Sequence, residues 1–178
     1  MESEQSCSVD SSLQVMMQTL QLTIAMDIDE HLKQARDELK RADHLIYVSL
    51  KYTRTVDVLK SIIERLITTM EEGLDALLHS AKNEGKIPAV PTLPRLKVEA
   101  LKKLHPENAQ LMHYLQFYLL LRKLDKAKFE RSQEYRRHVT MKAHLDDKHA
   151  EITIDIISDY FQKAKEFLAF VEELVAEE

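Results

Sequence analysis

Residues that reverse the direction of a chain are scarce in this sequence, which holds two glycines and four prolines among its 178 residues. Folds rich in β-structure need Gly, Asn and Pro at their many turns. The abundant residues are instead Leu, Glu, Lys, Ala and Met, which are good helix formers. The sequence therefore predicts an all-α fold of a length that suits one domain.

Two long helices are predicted by apolar residues that recur at alternating steps of three and four. The first spans 28–51 and the second spans 55–83, with Thr55 as a candidate cap. Gly85 is placed to end the second helix, because glycine readily adopts the left-handed conformation that follows many helices. We expect these helices to pack antiparallel in a bundle of about five to six helices, which forms a single domain over residues 26–178.

Three more helices follow a proline-rich connector. A short helix is predicted over 94–104, and Pro106 opens a longer one that continues to Arg137. The stretch 114–121 is apolar nearly all round, which predicts the most buried helix. The last helix is predicted over 156–176. The predicted core lies along the apolar stripes of these helices and consists of Leu39, Ile46, Leu59, Ile63, Leu66, Leu115, Leu119, Phe167 and Val171.

The region near 138–155 carries a different pattern. Val139, Met141 and Ala143 alternate with polar residues, and isoleucines alternate again after a pair of aspartates. Such alternation favours a small β-hairpin with a polar turn, and a helix is the competing interpretation.

Residues 1–25 differ in style from the rest of the chain. The first twelve residues are polar, a short apolar pattern begins at Leu13, and no Lys or Arg precedes Lys33. We expect a flexible or weakly structured N-terminal extension. A short surface helix, or a translation start at Met26, are the two interpretations of the apolar pattern.

The sequence also bears on where the protein works. Its one cysteine, Cys7, cannot form a disulfide within the chain. It has no apolar run of about 18 residues, which a membrane-spanning helix requires. Its start has neither the basic region nor the apolar core of a secretion signal. We therefore expect a cytoplasmic protein that does not contact a membrane.

Charge is distributed unevenly along the chain, whose net charge is −5. Residues 122–149 hold nine Lys or Arg and five Asp or Glu, so this segment carries +4 and the remainder carries −9. An acidic body of this kind is a poor general binder of nucleic acid, although one basic face can attract phosphate. A second polar and aromatic group, Tyr47, Tyr52 and Arg54, lies near the bend between the long helices and suggests no role by itself.

Candidate site residues concentrate in the basic segment. Arg137 and His144 are separated by six residues, and Arg136 and His138 flank the arginine. Two long helices followed by shorter ones, with an Arg and a His at this spacing late in the chain, resemble the HEPN family. In HEPN ribonucleases the Arg and the His face a groove at a homodimer interface and cleave RNA without metal.

The resemblance implies roles for these residues. Arg137 would stabilise charge on the reacting phosphate and His144 would transfer protons, with Arg136 and His138 as phosphate-binding residues. If residues 139–143 form a strand, however, Arg137 and His144 lie at its opposite ends, and the catalytic pairing fails.

Two functions of different classes therefore fit the sequence. The first is a non-catalytic interaction or dimerisation module, whose partner is a second copy or a helical protein. The alternative is a HEPN-type metal-independent ribonuclease or nucleotide-binding protein that uses Arg137 and His144. We expect no cofactor and no metal site, although a hairpin would bring His144 and His149 close together across its turn.

Overall fold

The structure is a computed structural model that describes residues 27–145 and 148–177. These residues form five helices and a three-stranded antiparallel sheet. In chain order the elements are α1 (27–52), α2 (Val56–Asn83), α3 (Pro94–Leu104), α4 (Ala109–Lys126), β1 (Lys128–Ser132), β2 (Thr140–Leu145), β3 (Lys148–Ile152) and α5 (Ile154–Glu177). The predicted predominance of helix is confirmed, but the all-α class is too narrow because of the sheet.

Helix α1 is regular to residue 44, turns through one π-helical segment at Leu45–Ser49 and finishes at Leu50–Tyr52. A π turn holds one more residue than an α turn, so it rotates the residues after it relative to the helix before it. Ile46 within this segment and Leu50 directly after it are both buried, whereas Tyr47 is 66% exposed.

Helices α1 and α2 pack antiparallel, as predicted. The Nδ1 atom of His31 lies 2.7 Å from Glu72 Oε2, and further along α1 the guanidinium of Arg65 donates to Glu38 Oε2 over 3.0 Å. Residue numbers therefore increase along α1 in the direction in which they decrease along α2.

Helix α2 is the centre of the molecule, because α1, α3, α4 and α5 all contact it. Residues that face different directions around its axis, such as Leu59, Ile62 and Ile63, are all fully buried. Its end matches the prediction: Gly85 has a φ of +75°, and Lys86 N–H donates to the Ala81 carbonyl over 2.9 Å. Backbone groups that the helix leaves unpaired are satisfied in this way.

Helix α5 contacts α2 at Gly73. A Cβ atom at this position would lie 2.6 Å from Cε1 of Phe167, a fully buried ring on α5. The absence of a side chain at Gly73 therefore leaves the space that the ring occupies.

The prediction of one helix from Pro106 to Arg137 is wrong at both ends. Helix α4 begins at Ala109, where the Asn108 side chain accepts a hydrogen bond from Leu111 N–H over 2.9 Å. It ends at Lys126, and the next residues form β1. Helix formers such as Lys, Glu and Arg dominate the sequence here, but pairing with β2 overrides their local preference.

The predicted hairpin near 138–155 is confirmed as β2 and β3, and β1 adds a third strand on the other side of β2. Val139, Met141 and Ala143 are buried, so the sheet covers one side of the helices with its apolar face. Helix α5 begins two residues earlier than predicted, after Thr153, whose hydroxyl oxygen accepts a hydrogen bond from Ile156 N–H.

The predicted core is buried at seven of its nine positions, and Leu39 and Leu119 are half-buried at its edge. None of the described helices combines the length and the apolar character that crossing a membrane requires. The predicted extension, residues 1–25, lies outside the described residues.

Because Gly73 leaves room for the Phe167 ring, Gly73→Val should destabilise the protein by about 1–3 kcal/mol through overpacking. This loss should appear although valine has a better helix propensity than glycine. Urea unfolding measures it, and Glu64→Val at an exposed position of α2 is the control, with an expected change within about 0.5 kcal/mol.

The ring itself is tested by a double-mutant cycle. In a Phe167→Leu background, Gly73→Val should cost at least about 1 kcal/mol less than in the wild type, because the atom that it meets is gone. Equal costs in the two backgrounds would show that the ring does not limit side-chain size at position 73.

Candidate functional site at the apex of the bundle

The structure divides the candidate residues between two places. Arg136, Arg137 and His138 lie in the connection between β1 and β2, whereas His144 lies near the other end of β2. Since a strand rises about 3.3 Å per residue, the four steps from Thr140 to His144 alone span about 13 Å. Within one chain the fold therefore places Arg137 and His144 at opposite ends of β2 and does not bring them together.

Arg136, Arg137 and His138 instead lie beside the connection between α1 and α2, at one end of the bundle. The N–H of Tyr135 donates to the carbonyl oxygen of Arg54 over 2.7 Å, which joins the two connections directly. We call this region the apex surface. It consists of the tyrosines Tyr47, Tyr52 and Tyr135 and the basic residues Arg54, Arg136, Arg137 and His138.

Side chains anchor the β1–β2 connection to the first turn of α2. The carboxylate of Glu134 accepts a hydrogen bond from Val56 N–H over 3.1 Å and so caps α2, a role that the sequence suggested for Thr55. Both terminal nitrogens of Arg131 donate to the carboxylate of Asp57, over 2.6 and 2.7 Å. This fork geometry is more specific than a single contact. These contacts attach the end of β1 and the connection to α2.

The backbone of this connection adopts unusual conformations. Gln133 has a φ of +52° and Tyr135 a φ of +62°, and both are L-residues with side chains in the left-handed region. Such conformations cost on the order of 1 kcal/mol each and persist where surrounding contacts hold them. They are frequent at binding and catalytic sites, and here the anchors on α2 supply the holding contacts.

The apex surface presents large aromatic side chains to solvent. Tyr52 and Tyr135 are each 78% exposed, in a protein whose other tyrosines, apart from Tyr47, are buried or half-buried among the described residues. Tyrosine and arginine are the residues that most often dominate binding energy at protein interfaces. Aromatic rings with nearby cations also suit stacking against nucleic-acid bases.

His144 belongs to a different cluster, at the hairpin turn. Its Nδ1 lies 2.8 Å from Nδ1 of His149, its partner across the β2–β3 ladder, and its Nε2 lies 3.2 Å from Glu130 Oε1. The predicted approach of the two histidines is thus confirmed. Within the described part of the chain, no three His, Cys, Asp or Glu side chains are placed to hold a metal ion.

Sequence reasoning missed the link between the two halves of the apex surface. Tyr47, Tyr52 and Arg54 stood out as a group, but they are more than 80 residues from Tyr135 in the chain. The signal that the two segments share is composition, because each combines tyrosine with arginine within a few residues. Only the hydrogen bond between Tyr135 and Arg54 shows that they form one surface.

Comparisons with protein-family models, with curated proteins and with solved structures find no match to this chain. The resemblance to the HEPN family therefore stays a prediction from the residues, and the apex surface has to be interpreted from its own chemistry.

The anchor on α2 has a measurable electrostatic signature. Hydrogen bonds from Arg131 hold the pKa of the Asp57 carboxyl below its ordinary value of 3.8. A lowered pKa in the folded state stabilises the protein above about pH 4, and this contribution is lost as pH falls through the lowered pKa. Arg131→Gln should raise the pKa of Asp57 and remove that contribution.

NMR titration of the Asp57 carboxyl measures this shift directly. Arg136→Gln removes an exposed cation from the same connection without touching the Asp57 pair, so it should leave the pKa of Asp57 close to the wild-type value. An unchanged Asp57 pKa in Arg131→Gln would show that the pair does not form in solution.

Proposed function

We propose that the protein is a non-catalytic interaction module that binds a protein partner through the apex surface. The observation that carries this proposal is the exposure of three tyrosines, two at the end of α1 and one in the β1–β2 connection, which is hydrogen-bonded to Arg54 and anchored to α2. Exposed aromatic side chains on a preorganised surface contribute to binding at a low entropic cost, since the surface need not be ordered on association.

The charge of the apex surface limits the kinds of partner that fit it. Asp57 and Glu134, beside this surface, are both paired with Arg131, so these three side chains together carry −1, which is less than the +3 of Arg54, Arg136 and Arg137. A partner that offers carboxylates therefore complements the apex surface. A helical protein with an acidic face meets this requirement, and a second copy of this chain meets it where acidic residues outside its own basic patch face the apex surface.

Experiments on the purified protein alone test whether the partner is a second copy of the chain. We expect sedimentation velocity to show a dimer at micromolar concentration, rather than the 20.7 kDa monomer. The double variant Tyr52→Ala/Tyr135→Ala should raise the dissociation constant at least about tenfold, because exposed interface tyrosines commonly contribute more than 1 kcal/mol.

Leu96→Ala is the matched control, since Leu96 is an exposed large apolar residue on α3, away from the apex surface. It should leave the dissociation constant unchanged. A wild-type monomer at about 100 μM would exclude the homodimer at the affinity proposed. A large loss of thermal stability in the tyrosine variant would instead mark these side chains as structural, against the interaction module itself.

A HEPN-type ribonuclease or nucleotide-binding protein is the second candidate. The observation in its favour is that tyrosines and basic residues share one surface, which suits stacking of unpaired bases and contact with phosphates. Because Arg137 and His144 lie at opposite ends of β2, their pairing in catalysis would need the two residues to come from different copies in a dimer.

The two candidates differ in a direct assay. A ribonuclease of this type should cleave single-stranded RNA in the presence of chelator, and His144→Ala and Arg137→Ala should each lower the rate at least about a hundredfold. His138→Ala tests whether the histidine beside Arg137 acts instead. Absence of cleavage by the wild type would eliminate the ribonuclease and leave the interaction module.

A further inference from the structure

A basic groove lies away from the apex surface, at the other end of the β1–β2 ladder. It has a volume of about 940 Å³ and is open to solvent. Its walls are the first two turns of α3, the C-terminal half of α4, and the strand residues where β1 begins and β2 ends. None of the candidate residues on the apex surface lines it, whereas His144 does.

The charge of the groove is strongly positive and largely uncompensated. Glu99 is the one acid among its described lining residues. The charge of Arg122 is neutralised by its ion pair with Glu71 on α2. Five further cations line the groove, are exposed, and form no ion pair with a described acid: Arg95, Lys102, Lys123, Lys126 and Lys128.

At the start of α3, part of this positive charge lowers the stability of the helix. A helix N-terminus carries partial positive charge, which favours Asp or Glu in the first turn and disfavours Lys or Arg. The first turn of α3 has no acid, and Arg95 follows Pro94 there. Departures of this kind from local preference are expected at binding sites. The arrangement is explained if an anionic partner occupies the groove.

Apart from His144, the uncharged lining residues are aliphatic, and they decide what kind of anion fits. Val98, Leu119 and Leu145 are buried or half-buried in the groove, and Leu93 is 60% exposed at its edge. Among the described lining residues the one aromatic ring is the imidazole of His144, whose two nitrogens already contact His149 and Glu130, so the groove offers bases little surface on which to stack. An anion with an aliphatic face matches this lining better than a nucleic acid does.

We propose that the basic groove binds an amphipathic helix of a partner protein, with an aliphatic stripe flanked by Asp or Glu. Arg95 and Lys102 are seven residues apart on α3, as Leu119 and Lys126 are on α4, so each wall extends about two helical turns, or about 10 Å. A helix between these walls buries its stripe on the aliphatic residues and pairs its carboxylates with cations on both sides.

The groove is thus a second docking surface, independent of the apex surface in position and in chemistry. The test uses the full chain and a fluorescein-labelled peptide of about 18 residues, with Leu at two positions in each heptad and Glu beside them. Fluorescence anisotropy near 0.15 M salt should show micromolar binding. Lys123→Glu/Lys126→Glu should weaken that binding at least about tenfold.

Three comparisons make the result specific. Lys33→Glu/Lys165→Glu reverses two exposed cations outside the groove and should leave binding nearly unchanged. Tyr52→Ala/Tyr135→Ala should also leave it unchanged, which separates this groove from the apex surface. A peptide of the same composition with its leucines scrambled should bind at least about tenfold more weakly, because it has no aliphatic stripe.

Two results would overturn the proposal. If the scrambled peptide binds as tightly as the amphipathic one, the groove recognises negative charge alone. If a single-stranded RNA of similar charge binds more tightly than the peptide, and Lys123→Glu/Lys126→Glu abolishes that binding, the groove is a nucleic-acid site. Circular dichroism of each variant confirms that the helical fold is retained, so that loss of binding is not loss of structure.

Discussion

The seating of α5 on α2 at Gly73 is the contact on which the rest of the arrangement depends. The position has no side chain, and the ring of Phe167 fills the space that a Cβ would need. Helix α5 follows β3 after a single residue, so the place of α5 also determines where the sheet lies against the helices. Close packing makes such a contact hard to shift by even a methyl group. Both proposed binding surfaces include residues of β1, β2 or their connection, so the positions of these residues depend in part on this contact.

The apex surface shows how a fold can make one surface from two distant segments. Its two connections meet because α1 and α2 reverse at the point where β1 and β2 also reverse. The anchoring residues Glu134 and Arg131 satisfy groups at the start of α2, namely the Val56 N–H and the Asp57 carboxylate. The same contacts thus stabilise α2 and position the connection. They also allow the unfavourable backbone conformations at Gln133 and Tyr135 to persist.

Local signals were sufficient for most of the helices. Gly85 and Pro94 mark the end of α2 and the start of α3 by conformational preferences that need no tertiary contact. The hairpin of β2 and β3 was also predictable, since its alternation is local. Strand β1 was not, because its residues include good helix formers and its hydrogen bonds go to a strand that follows eight or more residues later. The candidate site failed for the same reason: the sequence shows which residues are unusual, whereas their neighbours are decided by pairing across the chain.

The β1–β2 ladder separates the basic segment into two parts. One end of the ladder pairs Ser132 with Thr140 beside the apex surface, and the other pairs Lys128 with His144 at the basic groove. The basic segment of the sequence, residues 122–149, is thereby divided between a surface with tyrosines and a groove with aliphatic residues. A single catalytic centre would need these groups to converge within hydrogen-bonding reach of one substrate. A protein that holds two partners, or two parts of one partner, needs them apart, and separate surfaces then add their affinities through effective concentration when the partner's linker spans the distance.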